Sequence, residues 1–180
     1  MRAVHIVRDA KVAKVLIDPM RREILDLLRE KPMTQTQLAR ELELSPASLN
    51  YHIKLLRSKR LVTIAKKQVG VNGIVEIFYS TVAYYFIYDM ESLPNHIMRY
   101  FHPLSLERAR AVISSLLLVD KSFTVDQTPE GIDKFSVELS RIIANVAKSY
   151  EKRKISHGKE NLTLEIYNKA IMNLVKRYKL

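Results

Sequence analysis

Three helix-start signals crowd into the stretch from Asp18 to Pro46, and they confine this chain more tightly than any other feature. In Asp18-Pro19 the carboxylate accepts from free N–H groups of a first turn, and proline suits the first helical position. Ile24, Leu27 and Leu28 then recur at helical spacing until Lys31-Pro32 ends the run. Thr34-Gln35-Thr36-Gln37 has the form of a capping box and opens a second helix carrying Leu38, Ala39 and Leu42. A short link, Glu43-Leu44, leads to Ser45-Pro46, a cap and proline again. The helix that follows runs to about Lys59, with Leu49, Ile53 and Leu56 as its buried stripe.

Extended structure comes next. Leu61 to Ala65 is rich in β-branched residues, Lys66 to Gly73 is a polar, glycine-bearing turn, and Ile74 to Tyr79 is a second strand. Three short helices and a β-hairpin, in that order, make a winged helix-turn-helix pattern on which independent local signals agree. The expected fold is mainly α: a winged helix-turn-helix DNA-binding domain over 1–90, then a helical dimerisation and effector region over 91–180. The aromatic run from Thr81 to Met90, with Tyr84, Tyr85, Phe86 and Tyr88, reads as a third strand or a packed connector. Beyond it, one helix spans Leu104 to Val119. A long one starts at Thr128-Pro129 and runs to about Lys154, with Phe135, Leu139, Ile142, Val146 and Tyr150 apolar. The last runs from about Leu162 to Tyr178, with Ile166, Ala170, Leu174 and Tyr178 on one face. The long stripe must be buried somewhere. Two such helical hairpins from two chains would bury it in a bundle around a twofold axis; folding back on the chain's own winged-helix domain would leave a monomer.

Composition removes most other functions. Cysteine is absent, which excludes disulfides, thiolate metal sites and cysteine nucleophiles. None of the four glycines sits in a phosphate-cradling loop. His96 and His102 are six apart and fall on different helix faces, so no metal site is expected, and no cofactor or catalytic constellation is visible. The chain is therefore not expected to be an enzyme. No apolar run approaches the roughly 20 residues of a membrane span, and Met1 to Ala10 lacks a signal-peptide core, so a cytoplasmic location is expected. Net charge is +11, which favours nucleic acid as partner. No acidic residue occurs between Glu43 and Glu76, a stretch that carries Lys54, Arg57, Lys59, Arg60, Lys66 and Lys67.

The run from Ser45 through Asn50-Tyr51-His52-Ile53-Lys54 to Leu61-Val62 resembles the recognition helix and wing entry of ArsR-like winged-helix regulators, closest to archaeal members with additional C-terminal helices. The resemblance covers roughly residues 10 to 80. It implies a homodimeric transcription factor on double-stranded DNA, with the helix 46–59 in the major groove of a twofold-symmetric operator and the wing 66–73 along the backbone. Metal sensing is not carried over, because cysteine ligands are absent. Where family members often have Ala-Gly, this chain has Lys59-Arg60, so a different helix exit is expected.

On the third helix Ala47, Asn50, Tyr51 and Lys54 lie opposite the buried stripe, with Ser45, Ser48 and Arg57 nearby. Asn suits bidentate pairing with adenine, while Tyr and Lys reach phosphates. His52 either joins this face or packs before Leu56. Lys66, Lys67, Gln68 and Asn72 are the wing candidates. Gln35 and Gln37 stand where helix N–H groups meet a phosphate. An architectural protein with little sequence preference, and a winged helix used for protein contact, are the alternatives. No effector ligand is identified.

Overall fold

The computed structural model describes residues 1–70, 73–119, 121, 123–157 and 161–177. In chain order the elements are β1 (Arg2–Val7), α1 (Ala10–Leu16), α2 (Pro19–Glu30), β2 (Met33–Thr34), α3 (Gln35–Glu41), α4 (Pro46–Ser58), β3 (Val62–Val69), β4 (Val75–Thr81), β5 (Ala83–Tyr88), α5 (Asn95–Met98), α6 (His102–Val119), α7 (Pro129–Lys148) and α8 (Asn161–Arg177). The mainly helical class expected from the sequence is what the chain has. Two compact units are formed, and each draws on several segments. The first is Met1–His5, Lys11–Phe86 and Glu151–Lys159; the second is Ile6–Ala10, Ile87–Tyr150 and Glu160–Leu180. The chain passes from the first unit to the second at Phe86 and returns to the first at 151. No described helix is long and apolar enough to cross a membrane.

In the first unit, local caps set the helices. Asp18 Oδ1 accepts from the Arg21 N–H at 3.0 Å, and Ile24, Leu25 and Leu28 are buried. At the start of α3 the capping box is complete: Gln37 N–H donates to Thr34 Oγ1 at 3.2 Å and Thr34 N–H to Gln37 Oε1 at 2.9 Å. Thr34 also ends β2, which pairs antiparallel with β4 through Met33↔Tyr79 and Thr34↔Phe78. The strand order is β2-β4-β3, while β1 and β5 pair in a separate sheet. The aromatic run after Thr81 is thus the third strand of the two readings, paired with the chain's start rather than with the hairpin. Helix α1 precedes the three expected helices; it buries Ala13, Val15 and Leu16.

Both bends around α4 need left-handed backbone. Glu43 has φ 52° in the link from α3, and Arg60 has φ 55° at the exit. The expected change of exit at Lys59-Arg60 is not what the chain does. Arg60 takes the left-handed turn, its N–H donating to Arg57 O at 2.9 Å and the Leu61 N–H to Leu56 O at 2.9 Å. Those bonds hold a conformation that a side chain disfavours by about 1 kcal/mol. Arg60→Gly should therefore raise stability by about that amount, read as a higher urea midpoint at unchanged slope.

The returning segment closes the unit's N-terminal edge. Ala3 N–H donates to Arg153 O at 2.7 Å and Ile155 N–H to Met1 O at 3.0 Å. His157 Nε2 lies 3.0 Å from Ser80 Oγ at the base of the hairpin. Burial, then the Met1 ammonium, holds the His157 imidazole below its ordinary value, with Glu30 opposing. An unfolded chain thus takes up this proton near pH 6.5, before the folded one does. Stability is present above that pH and lost as pH falls below it. Urea midpoints at pH 8 and pH 5 should show this loss, and His157→Gln should reduce it.

The second unit is helical, with α7 packed between α6 and α8. Thr128 caps α7 by accepting from the Gly131 N–H at 3.1 Å. Its buried residues include Phe135, Leu139, Ile142, Ile143, Ala144 and Ala147, while Val146 is half-buried. Leu162, Ile166, Ala170 and Leu174 of α8 are buried too; Tyr178 lies outside the described residues. The long stripe is therefore covered within one chain. The helix stops at Lys148, short of Lys154, because Ser149 ends it: its hydroxyl donates to Val146 O at 2.8 Å, a side-chain bond that competes with helix continuation. Tyr88 and Phe101 stack at 3.8 Å.

Candidate nucleic-acid interface

Helix α4 is held by one face and open on the other. Leu49, Ile53 and Leu56 are buried, as the spacing requires. Ala47, Tyr51, Lys54 and Arg57 are exposed, Tyr51 at 61%, and Ser48 and Asn50 are half-buried beside them. Positions 47, 50, 51 and 54 follow one another at three- and four-residue steps, so they form a single face. Among the described residues, the side chains of Asn50 and Lys54 make no hydrogen bond or ion pair. Ser45 is occupied as the N-cap, its Oγ accepting from Ser48 N–H at 3.2 Å. His52 is half-buried, edge-on to the Tyr51 ring at 5.5 Å, and its Nδ1 is buried without a partner among the described residues.

Tyr79 of β4 is a platform that the sequence reading missed. The Gln35 Nε2 amide donates to its hydroxyl at 3.4 Å, and the Arg57 guanidinium lies 5.7 Å from its ring centroid. One buried tyrosine thus ties together the starts of α3, the end of α4 and the hairpin. The alternation of Ile74 to Tyr79 was the available signal, since it puts Tyr79 on the face shared by Val75 and Ile77. Gln37, a second candidate, has its Oε1 committed to the Thr34 cap.

The hairpin corrects one boundary. Lys66, Lys67 and Gln68, expected in a turn, are on β3, which continues to Val69 because it pairs with β4 through Lys66↔Phe78, Lys67↔Ile77, Gln68↔Glu76 and Val69↔Val75. An irregularity between Ile64 and Lys66 interrupts the alternation that would have shown this. Asn72 lies outside the described residues. Consecutive strand residues point to opposite faces. Lys66 therefore leaves one side, its Nζ 4.4 Å from the Phe78 ring centroid and 3.1 Å from Gln68 Oε1. Lys67 leaves the other, beside Ile77. Among the described residues, Lys54, Arg57, Lys59, Arg60 and Lys67 have no ion pair, so their charge is directed outward. No group of three metal-ligating side chains occurs among the described residues.

Helices α2 to α4 backed by the β3–β4 hairpin are a winged helix-turn-helix domain of the kind transcriptional regulators carry. The family profile described as a helix-turn-helix domain matches residues 16–65. The transcriptional repressor SdpR of Bacillus subtilis (strain 168) is similar, 34% identical over 56 residues, which are 31% of this chain and 62% of that protein. The match thus spans less than two thirds of the repressor's length. Two solved structures of mutant ZitR from Lactococcus lactis are similar at lower levels. An apo form is 21% identical over 67% of this chain and 78% of that one, at a TM-score of 0.31. Another is 22% identical over 64% and 68%, at a TM-score of 0.30.

Proposed function

We propose that this chain is a DNA-binding transcriptional regulator, not an enzyme, that works in the cytoplasm as a homodimer on a twofold-symmetric operator. The observation that carries the reading is the open face of α4. It presents Asn50, Tyr51 and Lys54 on a helix anchored by three buried residues, within a stretch of chain free of acidic residues. Such a face enters the major groove, where Asn50 pairs with a base edge while Tyr51, Lys54 and Arg57 reach phosphates. Ser45, Ala47 and Ser48 bring the start of α4 against the same backbone. Gln35 and the remaining amide of Gln37 approach a phosphate from α3. The helical unit joins two copies, so two recognition helices meet half-sites about one turn apart.

Selection of bound duplexes from a random pool tests this. The expected product is an inverted repeat; a pool that stays random would remove sequence reading. The wing supplies a second measurement. Lys67→Ala should flatten the log–log salt dependence by about 0.9 per lost contact, or about twice that for a dimer. Lys66→Ala should flatten it less, because the Lys66 ammonium is already held against Phe78 and Gln68.

A further inference from the structure

Helices α7 and α8 leave a cleft of about 370 Å³ along their seam. Asn145, Val146 and Ser149 line it from α7. Lys169, Met172, Asn173 and Lys176 line it from α8. All of them belong to the second unit. Ligand clefts run from about 300 Å³ upward, so this one is sized for a small molecule. Its apolar surface is open to water: Val146 is half-buried and Met172 is 58% exposed.

Charge and hydrogen bonding indicate what fills it. Carboxylates are kept away, since neither Arg141 to Ser149 on α7 nor Ile166 to Lys176 on α8 contains one. Glu138 and Glu165, at the margins, are bonded to Arg177 and to Tyr150 and Lys169. Lys169 is already balanced, because its ammonium donates to Tyr150 Oη at 2.6 Å and Glu165 Oε1 at 3.3 Å. The Lys176 side chain has no hydrogen bond or ion pair among the described residues, so its charge is unanswered. Lys148 Nζ donates to Asn145 Oδ1 at 2.8 Å, which commits that carbonyl and leaves the NH2 group to donate. The carbonyl end of α7 would repel an anion, but capping weakens it. Val146 O accepts the Ser149 N–H at 3.2 Å and the Ser149 hydroxyl at 2.8 Å, and Ala147 O accepts the Tyr150 N–H at 2.9 Å.

We infer that this cleft binds a small organic monoanion, a carboxylate with a short apolar chain. It goes beyond the proposed function and needs no DNA. Lys169 and Lys176 are seven residues apart, about 10 Å along the helix, so one carboxylate meets one of them. Lys176 is that one, since Glu165 already answers Lys169. Asn173, one turn before Lys176 on the same face, adds its amide. The chain then lies over Met172 and Val146 toward Lys169. Methionine suits such a surface, because its flexible thioether adapts to the outline of what it covers. A bare anion would leave that surface in water, and a cation would meet an ammonium with no carboxylate to offset it.

The test is calorimetric titration of the full-length protein with sodium octanoate, beside sodium acetate and octylammonium chloride. Octanoate is expected to saturate one site per chain below about 1 mM, and the two controls to show no saturation. Lys176→Gln should weaken octanoate about tenfold, the usual loss for a hydrogen bond to a charged group. Spectra of the methionine methyls place the ligand. The Met172 signal, assigned by its loss in Met172→Leu, should move as octanoate is added. Both substituted side chains are exposed, and an unchanged thermal midpoint certifies the fold. No saturation by octanoate, or equal binding of octylammonium, overturns the inference. So does octanoate binding that Lys176→Gln leaves unchanged, or that leaves the Met172 methyl still, because the site is then elsewhere. A Met172 methyl that moves with a DNA duplex and not with octanoate overturns it in favour of a nucleic-acid surface. Base reading by α4 stands apart from all of these outcomes, since the duplex selection decides it alone.

Discussion

Asn50→Ala is expected to cost about 1–3 kcal/mol on the selected operator, a loss of about 5- to 150-fold, and to relax preference at one base position per half-site. The Asn50 side chain has no hydrogen bond to any described residue, so its amide is not holding the fold. The anchors of α4, Leu49, Ile53 and Leu56, are on the opposite side and remain. Removing the amide therefore leaves the helix, its cap at Ser45 and the protein's stability nearly as they were, while a base edge loses both its partners. Binding measured on duplexes varied one position at a time gives the answer. Equal weakening on every duplex would make Asn50 a backbone contact. No weakening would move base reading to another residue.

The second large effect is in the helical unit. Phe135→Ala is expected to destabilise it by about 3–5 kcal/mol. Phe135 is among the largest fully buried side chains, on the helix that α6 and α8 both pack against. No other large ring is fully buried on α7, so the void has no ready filler. That loss is comparable with the whole stability of a small domain. Denaturant unfolding should show it directly, and Phe135→Leu should recover most of it. If the helical unit joins two copies, sedimentation of the alanine variant should fall toward the 20.9 kDa of one chain. Affinity for the full operator should then drop far more than affinity for a half-site, because Leu28, Leu38 and Leu56 of the winged-helix core are untouched. A variant as stable as the parent would contradict the packing described for α7.

What could be read in advance follows the range of the forces involved. Helices α2, α3 and α4 were legible because Asp18, Thr34 and Ser45 act on N–H groups three residues away, which a local pattern contains. The open face of α4 followed from the same periodicity. The short α1 was not read in advance although Asp9 stands immediately before it, because seven residues are too few to show a helical period. Neither was β1, whose hydrogen-bond partners include Val82, Asp89 and Arg153, far along the chain. The two-residue β2 exists because β4 is there to receive Met33 and Thr34. Lys66 to Gln68 were placed in a turn because the irregularity beside Ile64 broke the period before the strand ended. Arg60 misled for a different reason. Its side chain disfavours the backbone it adopts, and two hydrogen bonds across the turn decide the matter.

The bonds from Ala3 to Arg153 and from Ile155 to Met1 also set a timetable. A ribosome emits the chain from its first residue, at about 5–20 residues per second. One edge of β1 waits for partners made roughly 150 residues later, although β5, its strand partner, comes sooner. Helices α2 to α4 can condense meanwhile, but that edge stays open for roughly 8–30 s at those rates. All of the helix-rich middle is synthesised within that interval. A nascent chain therefore finishes its winged-helix unit after α6 and α7 of the helical unit have been made and before α8 has.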